Sequence, residues 1–72
     1  MNLKMRMLAF QIEQKWKKIE QNRQKMNMLI EMKVPYTSDQ LIRLNDETVE
    51  LGEAARKLEL EYRQLHSAML NN

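Results

Sequence analysis

The sequence predicts an all-α chain folded as an antiparallel two-helix hairpin with coiled-coil-like packing, its helices spanning about residues 3–33 and 38–70 around a turn at 34–37. Three observations carry this prediction. Apolar residues recur at spacings of three and four through both halves, turn chemistry occurs once near the middle, and the two-residue alternation of a strand is absent. At 72 residues the chain forms a single domain, 1–72.

The first helix rests on the stripe Met5, Ala9, Ile12, Trp16, Ile19, Arg23, Met26 and Ile30, broadened by Leu8 and Leu29. It should end near Lys33, because Pro35 disfavours helical geometry at Val34. The segment Val34-Pro35-Tyr36-Thr37-Ser38 supplies the turn. Within it, Thr37 is placed to cap the second helix, and Gln40 three residues later would complete a capping box. Tyr36 and Leu41 have the spacing of a hydrophobic staple, and Asp39 suits the positive end of the helix dipole.

The second helix carries a longer seam: Leu41, Leu44, Thr48, Leu51, Ala55, Leu58, Tyr62, Leu65 and Met69. Helices of similar length joined by a short turn lie antiparallel, so residues whose numbers sum to about 71 should face each other. Ile30 then meets Leu41, Met26 meets Leu44, Ile19 meets Leu51 and Ala9 meets Tyr62. Trp16 falls opposite Ala55 beside Gly52, which reads as a close approach that makes room for the indole. Asn22 and Arg23 fall opposite Thr48 as a polar layer of the kind that fixes register.

Composition excludes most catalytic chemistry. With no Cys, one His and one Gly, the chain has no thiol nucleophile, no His or Cys zinc set and no Gly-rich phosphate loop. No metal or cofactor is expected, and the chain reads as a non-enzyme. The net charge of +2 conceals an asymmetry: residues 1–33 carry +5 and residues 38–70 carry −3. The basic half is therefore expected to match the acidic half rather than a nucleic acid, with Lys15, Lys17 and Lys18 beside Trp16 as the alternative RNA-binding run. His66 reads as a surface histidine, and Asp46, Glu47 and Glu50 as a solvated acidic face. A membrane role is disfavoured because no apolar run approaches the roughly 20 residues a span needs, and the short, charge-broken run Met1–Phe10 does not read as a signal peptide. A cytoplasmic location is the simplest reading.

One seam cannot hide all the apolar residues. Phe10, Met28, Met32, Ile42, Val49 and Leu60 fall outside it, with Met7, and are the candidate partner-binding residues. A lone hairpin is short of core, so a partner or self-association should supply the missing stability. The seven methionines suit adaptable protein contacts of this sort.

The second helix opens Ser38-Asp39-Gln40-Leu41-Ile42-Arg43-Leu44, followed by Glu50-Leu51-Gly52. In this pattern, in length and in its central turn, the chain resembles the small co-chaperones of type III secretion needle subunits. The resemblance implies a cytoplasmic hairpin that pairs with a helical-repeat chaperone to keep a secreted subunit monomeric until export. A second resemblance is to the sporulation-regulatory aspartyl-phosphate phosphatases, whose signature would fall on Leu44-Asn45-Asp46-Glu47-Thr48-Val49-Glu50-Leu51. Glu47 and the flanking leucines match, but Val49 stands where that family has its aspartate, which removes the carboxylate implied to engage magnesium.

Overall fold

A computed structural model describes residues 2–70 as two helices, α1 (Leu3–Glu31) and α2 (Asp39–Leu70), packed antiparallel along their length. The hairpin measures 55 × 15 × 13 Å, a rod two helices wide. The all-α hairpin read from the sequence is the observed fold.

Each helix end has an identifiable cause. The Asn2 side chain caps α1, its Oδ1 accepting from the Met5 amide at 2.8 Å. At the other end the chain turns left-handed at Lys33, with φ 67°. The Lys33 amide donates to Ile30 O and the Val34 amide to Leu29 O, both at 3.0 Å. This is a Schellman motif, and it closes α1 two residues before the expected stop. Lysine adopts that φ less readily than glycine, so the motif forms at a local cost of about 1 kcal/mol.

The start of α2 corrects the expected cap by one residue. Ser38, not Thr37, is the cap: its Oγ accepts from the Leu41 amide at 3.3 Å and its carbonyl takes the Ile42 amide at 3.0 Å. The third helical position is then Leu41 rather than Gln40, so no capping box forms. Tyr36 stays exposed and makes no staple, because it now lies two residues before the cap. The Ser38 amide donates back to Pro35 O at 3.0 Å, which tightens the turn enough to make the later serine the first residue positioned to cap. Asp39 does lie in the first turn of α2.

The seam of α2 is as expected from Leu41 to Leu65, each member buried or half-buried, while Met69 is exposed. The seam of α1 is rotated. Met5, Ile12, Ile19 and Met26 do face α2, but the second row is Leu8, Lys15, Asn22 and Leu29; Ala9, Trp16, Arg23 and Ile30 are exposed. Both rows keep helical spacing, and their polar members decide between them. Burying Arg23 would desolvate a full charge, whereas the neutral Asn22 needs only an acceptor for its amide. Asn22 is 1% exposed, and its Nδ2 donates to Glu47 Oε1 at 3.1 Å. With this row inside, Met26 lies near Leu41, Ile19 near Thr48, and Lys15 near Ala54 and Leu58. Ala55, the smallest side chain of the seam, is wholly buried. Thr48 satisfies its own hydroxyl by donating to Leu44 O at 2.7 Å.

Candidate functional site

The rotation of α1 gives the hairpin two unlike flanks. Residues just before the Met5 and Leu41 rows form one of them, and ion pairs cross it. Lys4 meets Glu61 at 3.6 Å, and Lys18 meets Glu47 at 3.9 Å on the same oxygen that accepts from Asn22. Each is a lysine of the basic half against a glutamate of the acidic half. All four side chains are substantially exposed, so these pairs guide the association of the helices more than they stabilise it.

Residues just after the Leu8, Leu41 and Leu44 rows form the other flank, which is largely apolar near the turn. Trp16 and Ile30 come to its surface from α1; Ile42 and Val49 come from α2, with Tyr36 in the turn. Two depressions lie along it. One, near the turn, is lined by Met26, Ile30, Tyr36, Leu41, Ile42 and Asn45. The other involves Trp16, Val49 and Gly52, with Arg23, Glu53 and Arg56 at its edges. The indole Nε1–H donates to Glu59 Oε1 at 2.8 Å, which holds the ring at the edge of the groove rather than in the seam. A Cβ built on Gly52 would meet nothing within 4 Å. The glycine therefore leaves an open dent beside the indole, and the expected close approach of the helices at this point does not occur.

The six candidate partner-binding residues are all exposed, yet they do not form one surface. Ile42, Val49 and Leu60 run along the outer side of α2 at spacings of seven and eleven, with Leu60 set furthest from the seam. Phe10 and Met28 lie toward the lysine flank, beside Lys57 and Arg43 respectively. Met32, at the C-cap of α1, belongs with Met28 by its spacing of four. Trp16, Ile30 and Tyr36 complete the apolar flank but were assigned elsewhere from the sequence, two to the seam and one to a staple.

Several of the remaining chemistry-bearing residues make structural contacts. Lys15 is half-buried in the seam, and Lys17 pairs with Glu13 at 3.5 Å one turn away. His66 stacks on Tyr62 with ring centroids 6.5 Å apart. Glu47 turns toward Asn22 and Lys18 while Val49 turns to the opposite flank, so the two positions of the phosphatase-like signature diverge. Among the described residues no group of three or more His, Cys, Asp or Glu is placed to hold a metal ion, and no helix is long and apolar enough to cross a membrane. No protein-family model, curated protein or solved structure matches this chain.

Proposed function

We propose that this chain is a non-enzymatic binding protein whose apolar flank docks a helical protein partner. One observation carries the reading: thirteen large apolar side chains are exposed among the described residues, while only Met5, Leu8, Ile19 and Leu41 of that size are fully buried and most of the rest of the seam is half-buried. A hairpin that leaves so many large apolar groups in water gains stability from any partner that covers them. Trp16 on one helix and Val49 on the other line one depression, and a second lies nearer the turn, an arrangement that suits the apolar stripe of an amphipathic helix.

Within this class, the resemblance to type III needle co-chaperones supplies the specific proposal: a small cytoplasmic co-chaperone that joins a helical-repeat chaperone and a secreted subunit. Affinity capture from the native cell, followed by mass spectrometry, tests it. A helical-repeat chaperone recovered with the wild-type chain and lost with Val49→Asp supports the proposal. Capture that ignores Val49→Asp refutes the surface. Release of phosphate from a phosphorylated receiver domain with magnesium would refute the non-enzymatic reading. RNA binding that weakens steeply with salt and requires Lys15, Lys17 and Lys18 would replace the protein partner.

A further inference from the structure

We propose that, when no other partner is bound, the apolar flank is covered by a second copy of this chain, giving a parallel, two-fold-symmetric four-helix bundle. This rests on the reading of that flank as an interaction surface. Its first support is area. Trp16, Ile30, Tyr36, Ile42 and Val49 are 40–76% exposed and together offer on the order of 500 Å² of apolar surface. A standard interface buries about 800 Å² per partner, of which about 60% is apolar, so the patch matches what one copy must contribute.

The second support is that the flank complements itself. Trp16 on α1 and Gly52 on α2 line the same depression, across the groove from each other. A two-fold axis running along the groove lays α1 of each copy over α2 of the other. Trp16 of one copy then enters the dent left by Gly52 of its neighbour, at both symmetry-related sites. The same operation stacks Ile30 on Ile42 and brings Glu13 of one copy to Arg56 of the other. It also opposes Arg6 and Arg63, beyond the apolar patch at the open end. The contact is thereby confined to the turn-proximal half, over about 30 Å of helix. Self-complementarity of this kind, bulk on one helix and a hole at the same level on the other, is what an isologous interface requires.

The test uses the full chain. Sedimentation equilibrium and the emission of Trp16, the only tryptophan, are followed from about 1 to about 200 µM, a range that brackets a micromolar dimer. The expected result is a mass rising to twice the chain's 8.7 kDa together with a blue shift of the indole emission. Val49→Asp should raise the dimer dissociation constant about tenfold or more. Gly52→Leu should do the same by filling the dent; its Cβ meets nothing within 4 Å, and circular dichroism at 222 nm checks that the monomer stays helical. Met28→Asp, on the opposite flank, should leave the constant within about twofold. A mass that stays at 8.7 kDa throughout overturns the proposal. So does a dimer whose indole emission does not move, or one that Gly52→Leu leaves intact. A monomer that still captures a helical partner refutes self-pairing alone, while a monomer that captures nothing refutes the interaction reading as well.

Discussion

Replacing Gly52 by alanine should stabilise the hairpin, and the size of the effect follows from the structure. Gly52 lies mid-helix in α2 with an ordinary negative φ, so alanine adopts its backbone without strain. A Cβ there contacts nothing within 4 Å, which removes any steric penalty. What remains is the difference in helix propensity, about 0.8–1.0 kcal/mol, most of it lost freedom in the unfolded chain. The half-buried methyl adds a few tenths at most. A gain of about 1 kcal/mol should move the thermal midpoint up by about 4–8 °C in a domain of this size. In urea, with a slope of about 1 kcal/mol per molar, the midpoint should rise by about 1 M. Circular dichroism at 222 nm measures both, at about 1 µM, where the monomer prevails, and again at about a hundredfold higher concentration, where mass action adds any dimer term. A midpoint that falls in the dilute sample would mean that the helices do need glycine to approach here. That would refute the open-dent geometry and, with it, the seat assigned to the indole of a second copy.

Two further substitutions test the helix ends. Ser38→Ala should destabilise the hairpin by about 1 kcal/mol while Thr37→Ala costs only a few tenths, read as the difference in urea midpoint between the two variants; the reverse order would move the cap back to Thr37. Lys33→Gly should stabilise by about 0.5–1 kcal/mol, because glycine accepts the left-handed conformation that closes α1, and a loss of stability in thermal melts would contradict the Schellman geometry there.

How far the sequence could be read depended on whether a residue's position was set by its own helix or by the facing one. The α2 seam was legible because a single heptad row fits it, with charged residues on either side. The break was legible because Pro35 acts on its own neighbours. The cap slipped by one residue because Thr37 and Ser38 are both competent, and only the Pro35–Ser38 turn distinguishes them. In α1 two rows share Met5, Ile12, Ile19 and Met26, and local periodicity weighs Trp16 and Ile30 as heavily as Leu8 and Leu29. What separates the rows lies on α2: Glu47, which gives Asn22 an acceptor and so lets the Asn22 row go inside.

That one polar contact has consequences well beyond its layer. An asparagine paired to an acid with Lys18 alongside fixes the phase of α1, and the phase determines which apolar residues the core rejects. Had Arg23's row faced α2, Trp16 and Ile30 would be core and the flank near the turn would hold only Ile42, Val49 and Tyr36, too little for an interface of standard size. With Asn22 inside, Trp16 and Ile30 come to the surface on the same side as Ile42 and Val49, with Gly52 open beside the indole. The candidate binding face is thus a product of the folding choice itself, since the same term that sets register inside the hairpin also determines what the hairpin offers to a partner.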